Sequence, residues 1–166
     1  MVSKKNLLVI LVLIIAGGVI FTLYQQSDKK KIEKRFTRLS ELFSKDDLEP
    51  ALLMATKVKK IGSLFAKNCI IESSDRLRSG TYTPDQITSH AASARALFRT
   101  LKLKFYDIEI ELTGEGKAVT SVTGMLSGMS KREETFNETY EMEVDLVKIE
   151  KDWFFSAIRM VEVLKK

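Results

Sequence analysis

The chain has 166 residues, one histidine, one cysteine and a formal net charge of +5, with 45% hydrophobic and 30% charged residues. That mixture suits a folded domain rather than a disordered tail. A single cysteine rules out an intrachain disulfide and a cysteine zinc cluster, and no cofactor or metal-binding motif stands out elsewhere.

Residues 1–6 form a short tail carrying Lys4 and Lys5. From Leu7 to Tyr24 there is then no charged residue. In a helix these 18 residues would cover roughly 27 Å, close to the roughly 30 Å hydrocarbon thickness of a bilayer. The segment is expected to be a transmembrane helix, with Leu7, Ile10, Leu13, Ile14, Ile20, Phe21 and Tyr24 among its anchoring residues. Its end, Phe21 to Gln26, lacks the small residues of a signal-peptidase site, so the anchor is read as retained.

Two lysines precede this segment, and Lys29, Lys30, Lys31, Lys34, Arg35 and Arg38 follow it. Counting charges alone would keep the following domain in the cytoplasm. A short basic tail is nevertheless what a signal-anchor leaves inside, and long domains cross largely regardless of charge. The domain is therefore expected outside the cytoplasm. Residues 25–31 read as a juxtamembrane linker of helical character, with Lys29, Lys30 and Lys31 placed to meet lipid headgroups.

From residue 32 to 166 the pattern is that of one domain. Ile32, Phe36, Leu39, Leu42 and Phe43 recur at helical spacing. A second helix is expected through Leu48, Leu52, Ala55, Val58, Ile61 and Leu64, with Asp46 or Asp47 as its cap and Pro50 in its first turn. Phe65 to Glu72 reads as a strand around a buried Cys69, and Ser73 to Tyr82 as a loop. Thr83-Pro84-Asp85-Gln86 is a helix start with a capping box. The third helix carries Ile87, Ala91, Ala94, Leu97, Phe98 and Leu101 on one side.

Beyond Thr100 the period falls to two. The phase slips between Tyr106 and Asp107, predicting a bulge or sharp bend there. Turns at Thr113–Gly116 and Glu150–Asp152 separate the strands 117–129, 135–149 and 153–164. The class is α+β: three helices packed on a curved, mainly antiparallel sheet.

This order of elements, with the Thr-Pro-Asp helix start, the bent strand and the closing Val147-Lys148-Ile149-Glu150-Lys151-Asp152-Trp153-Phe154-Phe155, resembles the nuclear transport factor 2-like superfamily. In particular it resembles bacterial members carried behind an amino-terminal membrane helix. The resemblance implies a cone whose mouth can hold a ligand, and a place at a bacterial inner membrane. It spans enzymes, secretion-system scaffolds and domains of no known activity, so the fold does not choose among them.

Candidate chemistry is sparse. The superfamily's enzymes place a His/Asp or Tyr/Asp pair inside the cone, and the weak candidates here are His90, Tyr106 and Tyr140, with Asp107 as a partner. Glu109, Glu111, Glu141, Glu143 and Asp145 fall on the polar faces of strands, since burying several unpaired carboxylates would be costly. Trp153, Phe154 and Phe155 put aromatics on both faces of the last strand, so a homodimer through the sheet face is one candidate association.

The basic residues lack interleaved aromatics, and no nucleic-acid partner is expected. The leading expectation is an anchored, non-catalytic binding or scaffolding domain that engages a protein or a small apolar ligand. The alternatives are an isomerase- or dehydratase-like enzyme acting on a small hydrophobic molecule, and a subunit of a secretion or envelope complex. No cofactor is expected in any of these.

Overall fold

Ile32, Phe36, Leu39 and Leu42 fall on one stripe of a helix, and that stripe is buried against the concave face of a sheet. The computed structural model describes residues 4–73 and 79–164, with side chains placed for 24–73 and 79–161. Helix α1 runs without a break from Lys4 to Phe43. The expected linker 25–31 is thus part of the same helix, and Asp28 within it is already buried. Among the described residues no helix is long and apolar enough to cross a membrane. The anchor residues Leu7, Ile10, Leu13, Ile14, Ile20 and Phe21 lie outside the residues whose side chains are described.

The remaining elements are α2 (Ala51–Gly62), β1 (Phe65–Glu72), β2 (Gly80–Tyr82), α3 (Pro84–Leu97), β3 (Phe98–Gly114), β4 (Lys117–Ser130), β5 (Thr135–Ile149) and β6 (Asp152–Leu164). They form one six-stranded sheet in the order β2-β1-β6-β5-β4-β3. Only β1 and β6 pair in parallel; the other pairs are antiparallel. The sequence assigned Gly80 to Tyr82 to a loop, but these residues pair with Cys69 to Ile71 as a short edge strand. Three residues give too little periodicity to see.

Two other expectations change. Helix α2 begins after Pro50, which occupies the cap position with no side-chain bond, so neither Asp46 nor Asp47 caps it. Proline disfavours helical geometry in the residue before it, which moves the start downstream of the aspartates. Helix α3 ends at Leu97 and the strand begins at Phe98, three residues before the alternation becomes visible. The start of α3 is as expected: Gln86 N–H donates to Thr83 Oγ1 at 3.3 Å and Thr83 N–H to Gln86 Oε1 at 2.9 Å.

Close approach of α2 to α3 depends on Gly62. A Cβ there would lie 2.2 Å from Thr88 Oγ1 and 2.5 Å from the Pro84 carbonyl oxygen. The interior itself is built around aromatic edges. Phe36 meets Phe105 and Phe155 with ring centroids 5.1 Å away in each case, and Phe65 lies 5.3 Å from Phe155. Ala118, Val122, Val144, Leu146 and Trp153 complete the buried surface. Cys69 is fully buried among them, and burial pushes its thiol pKa up to about 11.

Two outcomes follow from this packing. Phe36→Ala should lower the unfolding free energy by about 3–5 kcal/mol in a urea titration, because it empties the centre of the cone. Cys69 should resist a thiol reagent at pH 8 in the native protein and react fully once the chain is unfolded.

Candidate functional site

The bend in β3 sorts its side chains. Tyr106 opposes Thr123 and Glu109 opposes Ser121, so Asp107 and Ile108 together face the single residue Val122. Asp107 takes a positive φ of 51°, a conformation that aspartate tolerates better than most residues. The phase slip in the sequence is therefore a real β-bulge. It turns Asp107 to the outer face of the sheet, while Phe105 and Ile108 pack against the core.

Two clefts meet at this bulge. One, of about 250 Å³, lies between α1 and β3 and is lined by Thr37, Ser40, Lys104, Phe105, Tyr106 and Ile108. Two hydroxyls, a phenol and an ammonium thus surround apolar walls. The other, of about 310 Å³, is open on the outer face, where Asp107, Glu109, Glu141 and Glu143 border Ser121 and Thr123. The carboxylates read from the sequence as external do lie on that face. Arg159 bonds Glu143 at 2.8 Å and Asp145 in a bidentate pair, and its pKa is raised by these acids.

The three catalytic candidates do not come together. His90 is exposed on α3 and stands edge-on to Tyr82 at 5.3 Å, outside the packed interior. Tyr106 borders the smaller cleft and is exposed at the bend. Tyr140 is half-buried on β5, opposite Gly124 and Val163, and donates to Glu138. An acid–base pair needs hydrogen-bond reach, and no such contact links these three residues. No group of three or more His, Cys, Asp or Glu suited to a metal ion occurs among the described residues.

Two buried polar clusters have no signal in the sequence. At the carboxyl end of α1, the guanidinium of Arg95, 0% exposed, donates to the carbonyls of Leu42 and Ser44 at 2.8 Å and also to that of Phe43. These carbonyls have no partner within the helix, so an arginine from α3 serves as the cap. Glu49 pairs with the same guanidinium and with Lys57 at 2.6 Å. Further back along α1, Asp28 receives Lys148 Nζ at 2.9 and 3.0 Å and Trp153 Nε1 at 3.2 Å. Lys148 Nζ also bonds Tyr24 Oη at 2.6 Å and lies 4.5 Å from that ring's centroid. Only long-range pairing could have revealed these groups, because all the partners except Glu49 and Lys57 are 46 to 125 residues apart.

Phe154 does not offer a free aromatic face, because the Arg35 guanidinium sits 5.2 Å from its centroid. Apolar surface is instead open near α2, where Leu48 and Leu52 are 93% and 81% exposed and Leu53 adjoins them.

No family model matches the chain, and no curated protein matches it. Solved structures do. A hexachlorocyclohexane dehydrochlorinase, LinA-type3 from Novosphingobium barchaimii, superposes with a TM-score of 0.66 at 11% identity, covering 86% of this chain and 92% of its own. A candidate scytalone dehydratase from Novosphingobium aromaticivorans gives 0.66 at 15%, covering 87% and 91%. A candidate dehydratase of the nuclear transport factor 2-like family from Streptomyces avermitilis gives 0.64 at 11%, covering 84% and 99%. At these identities the likeness establishes the fold, an α+β cone of the nuclear transport factor 2-like type.

The Glu49 cluster carries a pH signature. Burial opposes ionisation of Glu49, but the hydrogen bonds and charges of Lys57 and Arg95 outweigh it and hold the carboxyl below its usual 4.5. A depressed folded-state pKa contributes stability that is present above pH 4.5 and is lost as pH falls through the folded value. Urea unfolding below pH 4.5 should therefore show a declining midpoint, and Glu49→Gln should flatten that decline while lowering the midpoint at neutral pH.

Proposed function

We propose that this protein is a single-pass, membrane-anchored binding domain, held outside the cytoplasm at a bacterial inner membrane, which engages a protein partner through the leucines near α2. The observation that carries this reading is the packed interior. Phe36 packs edge-on against Phe105 and Phe155 over the inner face of the sheet, and Trp153 is buried in the same core. With the interior filled by side chains, recognition falls to the outside. There Leu48, Leu52 and Leu53 form a cluster whose exposure is unusual for three neighbouring leucines. A subunit role in an envelope complex is one form of the same reading.

A second reading is an enzyme acting on a small hydrophobic molecule. The names of the structural neighbours, a dehydrochlorinase and two candidate dehydratases, favour it over a scaffold. Its place on this chain would be the smaller cleft, with Tyr106 as the proton-transferring group and Lys104 near the developing charge. A homodimer through the outer sheet face is the least supported association. Apposing two copies would bring the Asp107, Glu109 and Glu141 carboxylates against one another.

The readings separate in one experiment on the intact protein in membranes. A photo-crosslinking residue at position 48 or 52 should yield one defined protein adduct, and one at the exposed Lys67 should not. With the photo-crosslinking residue at the neighbouring position 53, where an adduct should also form, Leu48→Ser with Leu52→Ser should abolish it while changing stability by less than about 0.5 kcal/mol. Absence of an adduct at both leucines, with a small molecule retained in stoichiometric amount on native mass spectrometry and lost in Tyr106→Phe, would transfer the assignment to the enzyme.

A further inference from the structure

The geometry points to a lipid-facing base: the turns at one end of the sheet rest on anionic headgroups, held there by a polar clamp between α1 and the sheet. This rests on the reading that residues 7–24 are a membrane anchor. Tyr24 is the last apolar residue of the charge-free stretch, which ends at Ser27, and α1 continues through it without a break. Beyond Tyr24 the helix immediately meets the domain.

Tyr24 Oη, the Asp28 carboxylate, Lys148 Nζ and Trp153 Nε1 are joined by the bonds already described, and Asp28 is nearly inaccessible to solvent. Lys148 is retained as a cation by its bond to Tyr24 and by the Asp28 charge, against the cost of partial burial. One turn further, Lys31 Nζ reaches the Lys151 carbonyl at 3.4 Å, and Arg35 pairs with Asp152 at 3.1 Å. The β5–β6 turn is thus fixed to the helix. The β3–β4 turn is fixed to it in turn, through Lys148 N–H to the Gly116 carbonyl at 2.8 Å.

The rise of an α-helix sets the depth. Lys30 lies six residues past Tyr24, or about 9 Å along the axis, comparable with the headgroup layer. At that level the exposed cations are Lys29, Lys30 and Lys31 on α1, Lys117 after the first turn and Lys151 in the second, against Glu115, Glu150 and Asp152, the last of which is paired with Arg35. Ile149, 49% exposed, stands beside them as an apolar side chain at the tip. Basic residues with an apolar contact are what an anionic interface recognises. Lys45, by contrast, is 21 residues from Tyr24, so the leucines that follow it lie about 30 Å further from the surface. The clamp therefore does two things at once: it seats the base and raises the α2 leucines to a set height.

The test uses the full chain in vesicles of phosphatidylethanolamine and phosphatidylglycerol, with a fluorophore on Ile149→Cys or on Leu48→Cys and headgroup-quencher lipids. Cys69 is buried and stays unlabelled. The label at 149 should be quenched and the label at 48 should not. Tyr24→Phe, which removes only a hydroxyl from an exposed ring, should weaken the quenching at 149, and Asp28→Asn should abolish it. Protein that resists alkaline extraction but shows equal, weak quenching at 149 and 48 would overturn the fixed base while leaving the anchor standing. Quenching at 149 that is unchanged by Tyr24→Phe would overturn the clamp. Release of the wild type by alkali would overturn the anchor itself and this inference with it.

Discussion

The whole arrangement depends on one helix closing one curved sheet. The inner faces of β3 to β6 present Leu103, Phe105, Ala118, Val122, Val144, Leu146 and Phe155, and α1 is the element that covers them. Burial of that stripe supplies the main driving force, at about 25 cal/mol per Å² of apolar area. The carboxyl-terminal half of the helix is also fastened by charge at two points. Asp28 binds Lys148 and Trp153 where the helix first meets the sheet, and Arg95 takes the last carbonyls at its finish. Buried ions contribute little net stability compared with apolar replacements, but removing one partner strands the other. Their effect here is to fix where along the sheet the helix sits.

That fixation links packing to function. A continuous α1 joins its amino-terminal half to the sheet-packed half without a separate linker. The same helix occupies the cone. With Phe36 set between Phe105 and Phe155, aromatic side chains pack the centre of the fold. The bulge at Asp107 then divides the surface into an acidic outer cleft and a narrower one that Tyr106 borders.

Much of the fold was legible because it is written locally. Ile32, Phe36, Leu39 and Leu42 repeat at helical spacing, Thr83 and Gln86 form a capping box, and the phase slip after Tyr106 became the bulge. What escaped was information carried by distant partners. Asp28 and Arg95 look like ordinary surface charges in a basic, soluble-looking helix pattern, and only tertiary contact buries them. Leu48 and Leu52 erred in the other direction, since Pro50 interrupts the helix that their spacing implied and leaves them outside the core. His90 sat at the edge of an apolar stripe, where a small rotation decides between interior and surface. Of the candidate site, only the outer carboxylates and the bend were readable in advance.

The central claim is that the cone is filled by its own side chains. Xenon under pressure, followed by the methyl resonances of Val122, Val144 and Leu146 in the full chain in micelles, tests it most directly, because a dry apolar cavity takes up the gas. A filled interior predicts small, linear shifts at these methyls, no larger than those of exposed ones. Saturable shifts confined to the three would reveal a cavity behind Phe36 and contradict the account.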